Sequence, residues 1–176
     1  HLLMKLENFE KSIEKYANYV IQQARTNLTK NNNKDGKLYN SLSYKISSTA
    51  YSFVVRFFME NYGIFQDKGV KGTESNYIEN SKSPFSYKSK GGKFGLKGMP
   101  PPKAFDKWTV RKGLAPRDSK GRFLERKTLN FLIARSIFKK GIKSTDFFSK
   151  PFEKGQIKYG DDFLQGIAKD IENQKK

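Results

Sequence analysis

The amino-acid sequence predicts an α+β fold, in which an N-terminal amphipathic helix packs on an antiparallel hairpin or small sheet. A long basic loop and further helices toward the C-terminus complete the predicted order. Two observations predict this class. One long segment has apolar residues at helical spacing, and two short strand-like segments follow it closely. The length of 176 residues fits a single domain over 1–176 with a core of its own.

The first helix is predicted over residues 6–29. Apolar residues recur every three or four positions, which places them on one face, and charged residues occupy the other faces. The stripe comprises Leu6, Phe9, Ile13, Ala17, Val20, Ala24 and Leu28. The polar segment NNNKDGK at 31–37 predicts a turn after this helix.

Two strands, over 42–48 and 51–57, are predicted to form an antiparallel hairpin with a short link at 49–50. One face of the second strand presents Tyr51, Phe53, Val55 and Phe57. We expect this face to pack on the first helix, because a lone hairpin is only marginally stable in water. Residues 60–69 then predict the end of a strand and a short helical turn that closes at Gly69.

Residues 70–102 predict a long basic loop or extension. They are rich in Gly, Ser, Lys and Pro and lack a sustained hydrophobic period. Loops of this length inside compact domains are usually functional or disordered. The three prolines at 100–102 favour an extended, stiff exit from the loop.

Helices are predicted over 103–114, 125–140 and 161–176, the last with a tail. Gly141 is a natural stop for the middle helix, and Asp161 and Asp162 suit the N-terminus of the last. A short strand is predicted near 156–160. The stripe of the middle helix is predicted to contain Leu129, Leu132, Ile133, Ser136, Ile137 and Lys140.

Two adjacent phenylalanines, Phe147 and Phe148, follow the middle helix. Neighbouring side chains in an extended strand face opposite sides. The pair therefore predicts that one ring enters the core, while the other meets a second surface, either another subunit or a covering loop.

The composition indicates a folded and strongly basic chain. Aromatic residues make up 14% of it, which is too many for a disordered segment and predicts a core rich in Phe and Tyr. The net charge of +18 favours an acidic partner, such as nucleic acid, an anionic membrane or an acidic protein surface. Residues 80–122 hold 12 Lys and Arg against two Asp. A solvated loop kept soluble by its lysines is the alternative interpretation.

The residue types exclude several kinds of site. The chain has no Cys and one His, at position 1, so cysteine nucleophiles, Ser-His-Asp sites and His-rich metal centres are ruled out. A carboxylate nuclease site stays open on Glu125-Arg126-Lys127 with Asp118 upstream, although a surface helix explains this triplet better. No apolar run approaches the roughly 20 residues of a membrane-spanning helix, and no membrane partner is expected.

The basic stretch has the features of a nucleic-acid surface. Aromatic residues alternate with lysines there, as in proteins that stack bases and contact phosphates. The interleaved rings are Phe85, Tyr87, Phe94, Phe105 and Trp108. The predicted basic surface comprises Lys82, Lys88, Lys90, Lys93, Lys97, Lys103, Lys107, Arg111 and Lys112. The sequence contains no recognised nucleic-acid-binding module.

Three phrases occur in a fixed order along the chain. DGKLYNSL at 35–42 follows the first helix, and YGIFQDKG at 62–69 follows the hairpin. KKGIKSTDFFSKPFE at 139–153 follows a later helix. With these phrases the chain resembles the small head–tail joining and tail-completion proteins of tailed bacteriophages. The resemblance covers most of the chain, but residues 70–125 are longer and more basic than the family pattern.

The resemblance implies a structural protein of the virion neck or tail, without enzymatic activity or cofactor, that is in the host cytoplasm during assembly. It implies a six- or twelve-fold homo-oligomeric ring around the DNA channel, in contact with portal-side and tail-side virion proteins. Contact with DNA in the channel is left open. Ring contacts are heterologous and need exposed apolar segments.

The residues expected to contact subunits or partners are Tyr62, Phe65, Phe85, Tyr87, Phe94, Phe147, Phe148 and Phe152. In this interpretation the basic surface complements acidic neighbouring rings, because tight phosphate contacts would retard DNA transit. The alternative is a basic nucleic-acid-binding protein outside any virion.

Overall fold

The structure is a computed structural model that describes residues 6–31, 36–49 and 52–175. It has the predicted α+β class, and this prediction is confirmed. The elements are α1 (Glu7–Lys30), α2 (Lys37–Ser41), β1 (Ser43–Ser48), β2 (Phe53–Phe58), α3 (Gly63–Lys68), β3 (Val70–Lys71), α4 (Asp106–Arg111), α5 (Arg126–Lys140), β4 (Gly141–Ile142) and α6 (Ser149–Asn173). Three short 3₁₀ turns lie at Ile78–Asn80, Lys93–Gly95 and Pro102–Phe105.

The chain forms two compact units. The first unit consists of His1–Asp67 and Asp146–Lys176, and the second consists of Lys68–Thr145. The prediction of one domain stays a prediction, and each unit is described by itself.

The first unit is built on the two long helices, α1 and α6. The predicted stripe of α1 is confirmed, since Ile13, Ala17, Val20, Ala24 and Leu28 are buried. Two glycines of α6 let the helices approach closely. A Cβ at Gly155 would lie 2.8 Å from the Tyr16 ring, and one at Gly166 would lie 2.9 Å from the Cα of Phe9. Burial in this contact raises the pKa of Tyr16 to about 12.

The predicted hairpin and its packing are also confirmed. Strands β1 and β2 pair antiparallel, from Ser43 opposite Phe58 to Ser48 opposite Phe53. The Phe53 ring meets the Phe9 ring edge-on at 5.1 Å between centroids, and Phe57 meets Tyr16 at 6.2 Å. The predicted members Ala50 and Tyr51 lie outside the described residues, as do residues 32–35 of the predicted turn.

The two adjacent phenylalanines occupy a turn before α6 rather than a strand, so the extended conformation predicted for them is wrong. Phe147 is fully buried among Leu28, Leu38 and Leu42. Phe148 is half-buried in the same unit, and its ring contacts Phe57 at 5.3 Å. Both rings therefore pack in one core.

Helix α6 begins at Ser149, and this start corrects the predicted start at Asp161 and the predicted strand near 156–160. The buried carboxylate of Asp67 fixes this end. It accepts hydrogen bonds from the N–H of Phe148 at 2.7 Å, from the N–H of Ser149 at 3.0 Å and from the Ser149 hydroxyl. Pro151 is tolerated in the first turn because no intrahelical N–H bond is needed there.

Asp170, on the last turns of α6, fixes the start of α1. Its buried carboxylate accepts hydrogen bonds from the N–H groups of Asn8 at 3.0 Å and Phe9 at 2.9 Å, and from the Asn8 side chain at 2.7 Å. Burial raises the pKa of Asp170, but these hydrogen bonds outweigh burial, so the pKa lies below its ordinary value of 3.8.

The second unit has a small core around buried Asn80. The Asn80 side chain donates to the carbonyls of Val70 at 3.0 Å and Ile142 at 2.7 Å, and it accepts from the Ser144 N–H at 2.7 Å. Val70 and Ile142 also pair in the β3–β4 ladder. The Asn80 side chain thus provides hydrogen-bond partners for backbone groups that this two-residue ladder leaves unpaired.

Helix α5 runs over the predicted range but buries a different face. Asn130, Ala134 and Phe138 are its buried residues, one position beyond the predicted stripe of Leu129, Ile133 and Ile137. Leu132 is exposed. The helix predicted over 103–114 is shorter, with the turn at Pro102–Phe105 leading into α4.

We predict that Asp67→Ala lowers the free energy of unfolding by about 2 kcal/mol, because it leaves two N–H groups and a hydroxyl at the buried start of α6 without their acceptor. Urea denaturation followed by far-UV circular dichroism measures the loss. The matched control is Asp161→Ala, an exposed carboxylate on the same helix, which should change stability by less than about 0.5 kcal/mol. Equal losses in the two variants would refute the capping role.

A second prediction concerns pH. Because the folded pKa of Asp170 is lowered, its stabilisation is complete above the ordinary value of 3.8 and is lost as the pH falls through the folded pKa. The stability difference between the wild type and Asp170→Asn should therefore be constant from pH 7 to about 5 and shrink below 3.8. Parallel urea titrations of both proteins test this. A difference that does not change with pH would contradict it.

Candidate interaction surface

The positive charge of the chain is concentrated in the second unit. This unit carries 20 Lys and Arg against 5 Asp and Glu, so it holds +15 of the net charge of +18. The first unit carries 15 basic against 12 acidic residues. A field of this size on a segment of fewer than 80 residues attracts anionic partners and steers their approach.

Four of the five acidic residues of the second unit are paired with basic residues outside 82–112. The pairs are Glu74–Lys139 at 2.5 Å, Glu79–Lys143 at 2.7 Å, Asp118–Arg122 at 2.9 Å and Asp106–Arg126 at 3.9 Å. The hydrogen bond with Lys143 lowers the pKa of Glu79, and the same bond raises the pKa of Lys143. The acidic groups thus neutralise other parts of the unit.

The nine predicted residues of the basic surface, from Lys82 to Lys112, are all exposed. Among the residues that the structure describes, none of the nine forms an ion pair with a carboxylate. Their charge is therefore available to a partner.

Residues 88–98 form an ordered loop within this surface, which we call the Phe94 loop. Lys90 and Lys97 face each other across it, with the Lys90 N–H donating to the Lys97 carbonyl at 2.8 Å. The Ser89 hydroxyl donates to the Gly95 carbonyl at 2.6 Å. These bonds hold the loop closed on itself, so its lysines project from a defined backbone.

Phe94 lies at the tip of this loop and is 83% exposed. Its φ of 60° is left-handed, a conformation that costs a residue other than glycine about 1 kcal/mol. The Lys93 ammonium lies 5.5 Å from the centroid of its ring. A solvent-facing aromatic ring among lysines is a suitable platform for a base or for an apolar residue of a partner.

The other predicted contact residues belong to different units. Tyr62 and Phe65 are exposed in the first unit, near the start of α3. Phe85 and Tyr87 are half-buried in the second unit, where the Tyr87 ring packs on Phe138 at 5.7 Å. The predicted contact residues are therefore divided between the two units.

Three of the predicted contact residues pack within the first unit. Phe147 has no accessible surface, which corrects its assignment as a contact: it is a core residue. Phe148 and Phe152 are half-buried and stack on each other at 6.0 Å, so only part of each ring is open.

An apolar cleft in the second unit was not predicted. It has a volume of about 420 Å³ and is lined by Val110, Leu114, Phe123, Leu129 and neighbouring residues. The Arg117 guanidinium stacks on the Phe123 ring at 3.8 Å, and Arg117 pairs with Phe123 across a tight turn. The only sequence signal was Gly121 between these two residues, which by itself predicts a turn and no cleft.

The two candidate nuclease carboxylates, Asp118 and Glu125, lie in different local structures. The Asp118 carboxylate accepts hydrogen bonds from the N–H groups of Lys120 and Arg122, both at 2.9 Å. The bond from the Arg122 N–H lowers the pKa of Asp118. Glu125 directly precedes α5. In the described ranges, no group of three or more His, Asp or Glu residues is placed to hold a metal ion.

Comparisons with known proteins give no relative: no family model, no curated protein and no solved structure matches this chain. Among the described residues, no helix is both long enough and apolar enough to cross a membrane.

We predict that changing Lys88, Lys90, Lys93 and Lys97 together to Gln weakens binding of the full chain to a single-stranded oligonucleotide and flattens its salt dependence. Each lost phosphate contact reduces the slope of log K against log salt by about 0.7. Fluorescence anisotropy at several salt concentrations measures both. The matched control changes four exposed lysines of the first unit, Lys15, Lys30, Lys45 and Lys169, to Gln. Similar losses in both variants would mean that net charge alone governs binding.

Proposed function

We propose that this chain is a non-enzymatic structural protein of a phage virion that forms part of the head–tail neck or of a tail ring around the DNA channel. The observation that supports this most strongly is the convergence of the three phrases that carry the resemblance. They are far apart in sequence, yet the first and third phrases share the hydrophobic core of the first unit, and Gly63 and Asp67 of the second phrase contact residues of the other two.

The contacts between the phrases are specific. Leu38 and Leu42 of the first phrase are buried with Phe147 of the third. A Cβ at Gly63 of the second phrase would lie 2.8 Å from a methyl group of Leu38, so only glycine fits there without displacing that side chain. Asp67 of the second phrase caps the helix that the third phrase begins. A chance similarity of three short phrases would not require these residues to meet.

In the proposed role, the second unit faces acidic neighbours. Its +15 charge and the exposed Phe94 loop suit an acidic ring protein with an apolar pocket on its surface. A protein partner also suits the channel, since many tight phosphate contacts would slow the passage of DNA.

The second candidate function is nucleic-acid binding outside any virion. The Phe94 loop favours it, because an exposed ring flanked by Lys88, Lys90, Lys93 and Lys97 combines base stacking with phosphate contacts.

Assembly assays separate the two candidates. We expect the chain, coexpressed with portal and tail proteins of a tailed phage, to copurify with one of them and to form closed rings of about six or twelve copies in negative-stain images. A chain that stays free of both proteins and forms no ring would overturn the virion role. If it also binds oligonucleotides tightly with a steep salt slope, the second candidate would replace the first.

Within the virion role, the partner of the basic surface is tested by reversing Lys90, Lys93 and Lys97 to Glu. We expect fewer assembled particles, because the acidic neighbour would no longer dock. The matched control reverses three lysines of the first unit, Lys15, Lys30 and Lys45, and should assemble normally. Normal numbers of particles that fail to eject DNA would contradict a protein partner and indicate that the surface grips DNA.

A further inference from the structure

The outer face of α6 carries an apolar stripe that the described residues leave largely exposed. Ile157, Leu164 and Ile171 are 85%, 68% and 42% exposed. They are seven residues apart, which places them in one line along the helix, as in a coiled-coil seam. The buried residues Pro151, Gly155, Gly166 and Asp170 lie on the opposite face, toward α1. The helix therefore has two apolar faces, of which α1 covers one.

Gly160 lies between Ile157 and Leu164, and no contact among the described residues requires a glycine there. A Cβ added there would have no neighbouring atom within 4 Å, whereas one at Gly155 or Gly166 would collide with α1. Glycine inside a helix costs roughly 1 kcal/mol relative to alanine. A small residue on an exposed helix face is useful where a second helix approaches closely.

In one arrangement of two α6 helices, a charge on one stripe lies opposite a charge of the other sign on the second copy. In an antiparallel pair of α6 helices centred on Leu164, residue i lies opposite the residue whose number is 328 minus i. Ile157 then faces Ile171, and the small Gly160 faces the small Ala168. Glu153 faces Lys175, and Lys154 lies near Glu172. By the same relation Lys154 faces Gln174 and Glu172 faces Gln156, so Glu153 and Lys175 form the directly opposed charge pair.

We propose that the outer stripe of α6 is a docking surface for a second copy of this chain, bound antiparallel with Leu164 on the two-fold axis. A two-fold contact is isologous, so each copy offers the same surface to the other. The stripe from Glu153 to Lys175 is about 33 Å long at 1.5 Å per residue. This is a small interface, so we expect a weak dimer that forms only at high protein concentration.

A parallel pair is disfavoured by the same residues. In that arrangement each position faces its own copy, so Glu153 meets Glu153 and Lys154 meets Lys154. Like charges at such short range are destabilising. The pair is also distinct from the contacts of a closed ring, which are heterologous and do not bring a residue next to its own copy. The proposal is therefore independent of the virion role.

The absence of cysteine from the chain allows a direct test by disulfide trapping. Leu164→Cys should form a covalent dimer under mild oxidation, because the two introduced thiols meet at the axis within the roughly 7 Å that a disulfide spans between Cα atoms. Ile157→Cys alone should stay monomeric, since its own copy lies about 21 Å away along the helix. A mixture of Ile157→Cys and Ile171→Cys should cross-link. Non-reducing gel electrophoresis reports all three results.

Three outcomes would overturn the proposal. Cross-linking of Ile157→Cys with itself would indicate a parallel pair. Absence of cross-linking in the Leu164→Cys protein and in the mixture, at 100 µM protein, would mean that a second copy does not occupy the stripe. Gln165→Cys, exposed on the same helix but outside the stripe, is the control for random collision. Its cross-linking to the same extent as Leu164→Cys would also refute the contact.

A second variant tests the contact without oxidation. Leu164→Lys places two like charges at the axis, and we expect light scattering at 100 µM to report a monomer where the wild type reports a dimer. Because Leu164 is largely exposed, the circular dichroism spectrum and the thermal midpoint should stay unchanged. The same apparent mass for wild type and variant at this concentration would count against the proposal.

Discussion

Two buried carboxylates at the starts of the long helices hold the first unit together. Asp67 accepts hydrogen bonds from the N–H groups at the start of α6, and Asp170 of α6 accepts them from the N–H groups at the start of α1. Each satisfies donors that a helix cannot satisfy internally. Since both carboxylates come from distant parts of the chain, they fix where each helix begins and how the two lie together. The aromatic core and the hairpin then pack on the surface that this helix pair presents.

The second unit depends on a different constraint. Its regular structure is short, and Asn80 supplies the hydrogen bonds that two-residue strands cannot. Such an irregular framework can display a long loop with many lysines. Four of its acidic residues pair with basic residues outside 82–112. The lysines between 82 and 112 therefore have no carboxylate partner among the described residues. The local pairing explains why the positive charge of this segment is not neutralised by carboxylates of the described residues.

The two units therefore offer different kinds of surface. The second unit offers charge and one projecting ring, which suits a partner reached over long range and released by salt. The outer stripe of α6 offers aliphatic side chains at heptad spacing, which suits a short-range contact with another helix.

Sequence reasoning succeeded where a segment needs little from the rest of the chain. The stripe of α1 repeats over several turns, and the alternation at Phe53, Val55 and Phe57 fixes which face of β2 is apolar. It failed at α6, because Pro151 and Gly155 normally indicate a break. Helix α6 contains both residues because Asp67 caps its start and Tyr16 packs against Gly155, and these two partners are distant in sequence. It also missed the buried face of α5, where Asn130 is polar and is buried with Thr109 as its hydrogen-bond partner.

The sequence by itself determined the α+β class, the first helix, the hairpin and the basic character of residues 82–112, because periodicity and charge are local properties. Only the tertiary structure decided that Phe147 and Phe148 share one core, that α6 begins at Ser149 and that its outer stripe is left uncovered. These features depend on which distant residues meet, and a pattern along the chain does not record that.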